Sequence, residues 1–247
     1  DCEFARSLAV YRETTSSNDV ALRLGRDGAP HGSVVFALAQ SAGRGRMRRR
    51  WHSQAGAGLW FSILLRPQPP LAQWPQLGIA AGVGVARAAS RLCGHACQLK
   101  WPNDVLLGGR KLAGVLLESR LEGASGYAAL GIGLNLNARG FPDEIAHSAT
   151  SLALASGQTF NPCTAAACVL RQVWLALNEC ADDFQRIRAE FDSLGSLNGH
   201  RVRVDCAPRV VEGVALGLDE RGALLLRLDD GSQFAAAFGE ATLREGG

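Results

Sequence analysis

Short apolar runs bounded by glycine and proline alternate with longer stretches of helical spacing along most of the chain. Leu8-Ala9-Val10-Tyr11 reads as a short strand. Thr14 to Asp19 then leads into the periodic Val20, Ala21, Leu22 and Leu24, a helix entered through capping side chains and ended by Gly25 and Gly28. Ser33 to Ala39 and Leu59 to Leu65 are apolar throughout and predict buried strands, the second closed by Pro67, Pro69 and Pro70. Trp74 to Leu92 is apolar on several sides, which predicts a core helix. Gln98 to Leu107 reads as strand, turn, strand, because Pro102 forces Trp101 toward extended geometry and Pro-Asn-Asp is turn chemistry. A second turn at Gly108-Gly109 leads into a strand over Arg110 to Ser119, so the hairpin brings Lys100 and Lys111 toward one region of a sheet. After a loop over 123–126, Tyr127 to Asn137 is an apolar strand ending in amides. Residues 138–162 read as loop, with a short helix start at Ala149 to Leu152. Thr164 is expected to cap a helix with apolar positions at Val169, Val173, Leu177, Ala181, Phe184, Ile187 and Phe191. Beyond Gly195-Ser196-Leu197-Asn198-Gly199 the pattern shortens to alternating segments, Val202 to Val204, Val210 to Leu216, Ala223 to Leu228 and Ser232 to Phe238. These predict a small β-barrel. The expected organisation is a domain over 1–195 and a smaller one over 196–247.

Composition narrows this picture. A chain of 247 residues that is 47% hydrophobic can bury a core without staples. The net charge of +3 does not by itself imply nucleic acid, and no apolar run reaches the length of a membrane span. The first residues, Asp1-Cys2-Glu3-Phe4, lack the features of a signal peptide. Seven cysteines are scattered without a Cys-x-x-Cys pair, and Cys93-Gly94-His95-Ala96-Cys97 packs its donors too closely for a metal. Reduced, mostly buried thiols in a cytoplasmic protein are expected, with no resident metal.

The candidate chemistry lies in a basic loop between the two apolar strands. Gly43-Arg44-Gly45-Arg46-Met47-Arg48-Arg49-Arg50-Trp51 holds five arginines and no acid. Arginine presents a planar fork to phosphate or carboxylate oxygens, and glycine lets a backbone approach a ligand closely. Charges this dense are expected to keep the loop mobile until an anion binds. Only two of the 26 basic residues are lysine, Lys100 and Lys111, which points to a use for a compact ammonium. Gly131-Ile132-Gly133 is weak as a phosphate signature, since no helix follows promptly. Each feature also has an ordinary explanation. The loop could be a solvated surface, Lys100 and Asp104 a plain ion pair, and Asn103 a turn former.

Four segments together carry a resemblance. Gly43 to Trp51, Lys100-Trp101-Pro102-Asn103-Asp104, Lys111-Leu112-Ala113-Gly114-Val115-Leu116-Leu117-Glu118 and Gly131 to Asn137 are similar, in order and spacing, to the signature segments of biotin protein ligases. Ser16-Ser17-Asn18, Gln40 and the last strand, Gly239 to Arg244, resemble the same family. Where the family loop usually reads Gly-Arg-Gly-Arg-Arg-Gly-Arg-x-Trp, this chain has Met47 and Arg48, so it keeps the charge and loses one flexible joint. No helix-turn-helix precedes the first strand, so the resemblance implies the ligase-only type.

The resemblance implies an α+β fold. Its mixed β-sheet is flanked by helices in a class II synthetase-like catalytic domain, and a small C-terminal SH3-like β-barrel follows. It implies activation of biotin by ATP, with Mg²⁺, to biotinyl-5′-AMP and pyrophosphate, then transfer to a lysine of a biotin carrier domain. Lys111 and Arg46 would be the catalytic contacts. Ser16, Ser17, Asn18, Gln40, Arg44, Gly45, Arg46 and Lys111 would hold biotin. Arg46, Arg49, Trp51, Lys100, Asn103, Asp104, Asn135 and Arg244 would hold ATP. Neither DNA nor membrane is an expected partner, and monomer or homodimer stays open. The competing readings are a lipoate-type ligase, disfavoured by the arginine loop with Lys-Trp-Pro-Asn-Asp, a nucleic-acid-binding module, and a biotin binder that no longer catalyses.

Overall fold

The structure, a computed structural model, describes residues 3–68, 70–122 and 125–244. Cys2, Pro69 and the start of the 123–126 loop, on which readings above fall, lie outside them. Strand β1 (Leu8–Tyr11) and helix α1 (Ser17–Arg26) open the chain, followed by β2 (Val34–Ala37) and β3 (Gly58–Leu65). Helix α2 (Trp74–Cys93) leads to β4 (Gln98–Lys100), β5 (Asp104–Leu107), β6 (Arg110–Glu122) and β7 (Ser125–Asn135). These strands form a seven-stranded sheet ordered β1-β2-β3-β7-β6-β5-β4. The β1–β2 pair is parallel and every other pair antiparallel, as expected of a mixed sheet.

The central strands bury both faces, so their apolar runs are nearly continuous. Alternation along each strand still sorts the side chains. Phe61, Ile63 and Leu65 of β3, Val115 of β6, and Leu130, Ile132 and Leu134 of β7 enter the main core beneath α2. Leu64 and Ala129 join Val20, Ala21 and Leu22 of α1 in a smaller cluster on the other face. The same alternation puts Ser62 opposite Gly131, and Gly114 opposite Gly133. The middle of the α1 face is thus nearly bare of side chains.

Helix α2 packs against α5 (Pro162–Asp182) so closely that a Cβ on Gly84 would lie 2.6 Å from Val173 Cα. That approach explains a glycine inside a core helix. Three helical readings need correction. The region 138–162 is not all loop: it contains a short helix α3 (Asp143–Ala146), while the helix start expected at Ala149 to Leu152 is found as α4 (Leu152–Ser156), capped by Ser151. Asn161, not Thr164, caps α5, accepting from the amides of Cys163 and Thr164, with Pro162 in the first turn. The helix expected to run through to Phe191 breaks at Asp183, whose extended backbone ends α5 and whose carboxylate caps α6 (Phe184–Ser193).

The C-terminal strands β8 (Arg201–Cys206), β9 (Arg209–Leu218), β10 (Leu224–Arg227), β11 (Gln233–Ala236) and β12 (Glu240–Leu243) form a five-stranded antiparallel sheet, ordered β11-β10-β9-β8-β12. No ladder joins β11 to β12 among the described residues. Val202, Val204, Leu224 and Leu226 share one continuous core with α2. Trp101 Nε1 donates to the Gly222 carbonyl at 3.1 Å, tying the β4–β5 turn to this second sheet. Among the described residues no helix is long and apolar enough to cross a membrane. The described cysteines are all free, and burial pushes the Cys97 and Cys180 thiols up to about 11, so they are held as thiols.

Candidate active site

The bare strip of the large sheet forms the floor of a cleft of about 250 Å³. Gly114, Gly131 and Gly133 supply the floor. The start of α1, the arginine loop, the β4–β5 turn and Gly239-Glu240 of the second sheet form its walls. A side chain at these floor positions would close it. A Cβ on Gly131 would meet Asn18 Oδ1 at 2.4 Å, and one on Gly133 would meet the Trp51 ring at 2.5 Å.

One end of the cleft is a hydrogen-bond network. The amide N–H of Ser17 donates to Gln40 Oε1 at 2.7 Å, and Gln40 Nε2 donates to Ser53 Oγ at 2.8 Å. Asn18 Nδ2 donates to Glu118 Oε2 at 2.7 Å, and the Ser62 hydroxyl lies 2.6 Å from Asn18 Oδ1 and 2.7 Å from Ser17 Oγ. Ser17 and Asn18 are buried, as is Ser16 beside them, so the partners of Ser17 and Asn18 are required rather than incidental.

The arginine loop is held at both ends. Arg44 forks onto Asp19 with two bonds of 2.7 Å and reaches Glu118 at 3.1 Å. This bond to Arg44 holds the Asp19 carboxyl below the usual carboxylate range, against an opposing push from burial. Arg49 pairs with Glu240 of β12. Between these anchors Gly45 N–H donates to the Arg49 carbonyl at 2.7 Å and Trp51 N–H to the Gly43 carbonyl at 2.8 Å. Two of the loop's arginines, Arg44 and Arg49, thus face acids from α1, β6 and β12. Met47, at the tip, has φ 52°, a left-handed conformation for a residue with a side chain. Arg46 has no ion-pair partner among the described residues, and burial lowers its pKa despite Asp104 and Glu240 nearby. An uncompensated, partly buried guanidinium facing a cleft favours an anion there.

At the other end, Lys111 Nζ lies 2.6 Å from Asp104 Oδ1 and 5.3 Å from the centroid of the Trp51 ring. The contact with Asp104 is an ion pair without hydrogen-bond alignment, since Oδ1 has no such partner. Asp104 therefore pairs with Lys111, not with Lys100, which corrects the ion pair considered from sequence. The Lys111 backbone is fixed through Ser148 and Thr150. Asn103 Nδ2 donates to the Val115 carbonyl at 2.7 Å, and Asn135 Nδ2 to that of Thr150 at 3.0 Å. Asn137, the other amide of that strand end, pairs with Phe160 on both sides of its carboxamide.

Ser16, Ser17, Asn18, Gln40, Arg44, Gly45, Arg46, Arg49, Trp51, Lys100, Asn103, Asp104, Lys111 and Asn135 all line the cleft. Arg244 does not; it pairs with Glu212 of β9. Sequence reasoning missed Asp19, Ser62 and Glu118 behind the walls, and Glu240 on the rim. A lone serine inside the apolar run Leu59 to Leu65 was the one local signal. No group of three or more His, Cys, Asp or Glu side chains that could hold a metal occurs among the described residues. The cleft's two carboxylates, Asp104 and Glu240, already face cations.

The biotin/lipoate A/B protein ligase family matches residues 10–135, and the biotin protein ligase C terminal domain matches residues 199–244. The chain is similar to the bifunctional ligase/repressor BirA of Bacillus subtilis (strain 168), at 36% identity over 90% of this chain and 70% of that protein. It is also similar to the biotin–[acetyl-CoA-carboxylase] ligase of Paracoccus denitrificans, at 35% identity over 92% of this chain and 97% of that protein. Its fold superposes on the biotin protein ligase of Aquifex aeolicus in complex with biotin and ATP with a TM-score of 0.84, at 30% identity, covering 97% of this chain and 99% of that one. With the cleft and both sheets accounted for, the chain belongs to the biotin/lipoate A/B protein ligase family.

Proposed function

We propose that this protein is an ATP-dependent biotin–protein ligase working in this cleft. Biotin's carboxylate attacks the α-phosphorus of ATP, forming the acyl-phosphate bond of biotinyl-5′-AMP as pyrophosphate leaves. A lysine amine of a biotin carrier domain then attacks the acyl carbon, forming an amide as AMP leaves. The observation that carries this reading is the convergence of Lys111 and the unpaired Arg46 on a cleft that also holds the Ser17–Asn18–Gln40 network. One end can satisfy a buried polar head group, and the other can gather negative oxygens.

Lys111 carries three N–H donors and faces Asp104 as an ion pair without hydrogen-bond alignment, so its donors can reach a carboxylate and an α-phosphate oxygen. Asp104 holds that ammonium in place. Arg46 stabilises charge on the bridging phosphate, and the loop from Arg44 to Arg49 excludes water from a hydrolysable anhydride. Trp51 walls the space between the two ends, and Lys100, Asn103, Asn135 and Arg49 line the nucleotide end. Mg²⁺ bound with ATP would neutralise triphosphate oxygens, with Asp104 and Glu240 the cleft carboxylates nearest to hand. Residues 1–195 form the catalytic unit and 196–247 the C-terminal one in this reading, supported by the break between the two sheets. The carrier domain is the protein partner in this reading, and the cytoplasm is the compartment. Pyrophosphate release tests the proposal: it should require biotin and ATP together. Release that ignores biotin, with no biotinyl-AMP formed, would overturn it.

A further inference from the structure

Ser62 and Glu118 belong to no wall of the cleft, yet both are wired into its head-group end. Ser62 is fully buried, at 0% exposure, in the middle of β3. Its hydroxyl has one proton and two oxygen neighbours, Asn18 Oδ1 at 2.6 Å and Ser17 Oγ at 2.7 Å. Chemistry at the far end decides where that proton goes. Glu118 lies against Arg44 and offers carboxylate oxygens that only accept. Asn18 must therefore turn its NH₂ toward Glu118, at 2.7 Å, and its carbonyl toward Ser62. The carbonyl also only accepts, so Ser62 gives its proton to Asn18. Ser62 is left to accept from Ser17, and the proton of Ser17 is used in turn. The Ser17 oxygen then has only lone pairs to offer the cleft.

We infer that Ser62, oriented through Asn18 by Glu118, is a positioning residue that fixes Ser17 as a hydrogen-bond acceptor, so that this end of the cleft selects a ligand presenting N–H groups. The inference rests on the ligase reading and deepens it, since a cyclic urea presents such groups. A site wired to accept rejects an analogue that lacks the donor, because a buried lone pair is left unpaired. Ser62→Ala removes the acceptor for Ser17. The hydroxyl of Ser17 becomes free to rotate and to donate into the cleft, and the polarity of the site is no longer set.

The test compares biotin with its N-methylated ureido analogue, as kcat/KM for pyrophosphate release, in the wild type and Ser62→Ala. The wild type should prefer biotin strongly. Ser62→Ala should narrow the preference at least tenfold, chiefly by raising KM for biotin, with KM for ATP unchanged. If Ser62→Ala does not fold, Ser62→Cys keeps the volume while weakening both the donor and the acceptor, and should narrow the ratio in the same direction. An equal loss for both ligands, or an unchanged ratio, overturns the inference and leaves the ligase reading intact. Absence of biotin-dependent release in the wild type overturns the ligase reading itself.

Discussion

Lys111 shows how a single side chain is prepared for its proposed role. Its backbone is pinned on both sides, and its ammonium lies over the Trp51 ring and faces a carboxylate that is itself largely buried. Little reorganisation is needed when an anion arrives. Lys111→Ala should lower the rate of adenylate formation about 10²- to 10³-fold, the usual loss of one preorganised electrostatic contact. Circular dichroism should be unchanged, because Lys111 is a rim residue and the strand carrying it is set by its ladders. Two lysines in an arginine-biased chain already pointed to this residue. Its partner was less legible. Lys100 and Asp104 face each other across the turn, but a register shift in β5 between Val105 and Leu106 belongs to the β5–β6 ladder that carries Lys111. A bulge of this kind leaves no mark in composition.

Elements show a similar division between what is local and what is tertiary. The strands of the large sheet and the long helix α2 follow from apolar runs, because burial on both faces leaves few alternatives. The break between α5 and α6 does not, since apolar spacing runs across Asp183 without a glycine or proline to mark it. The arginine loop was visible as charge, while its anchors come from α1, β6 and β12, elements distant in sequence. Those anchors set its pH response. The Arg44 bond lowers the pKa of Asp19 in the folded protein, so the contribution of this pair is complete above the ordinary carboxylate value of about 3.9. It is lost as pH falls through the lowered folded value. Hydrogen exchange of the Gly45 and Trp51 amides should therefore stay slow from neutral pH down to about 4, after correction for intrinsic rates, and quicken below that. Asp19→Asn should quicken both amides severalfold at neutral pH, since a neutral amide replaces the forked ion pair.

At the scale of the molecule, the two sheets share a core and meet again at the cleft, where Glu240 of the second sheet holds Arg49 of the loop. The pair is partly exposed, so its value in stability is small. Its effect is on position. Glu240→Gln should raise KM for ATP severalfold and leave KM for biotin unchanged, because the proposed biotin end of the loop is tied separately to Asp19 and Glu118. Equal changes in both constants would contradict this division. The glycine floor beneath the loop has a consequence of its own. Gly114, Gly131 and Gly133 have no rotamers, so the depth of the site is a property of strand spacing rather than of side-chain choice. Trp51 packs over Gly133 and Gly114, and Asn18 over Gly131, so the missing side chains make room for the two residues that border the ligand space. Altered specificity would therefore have to be built into the walls, because the ground they stand on is already as low as a polypeptide allows.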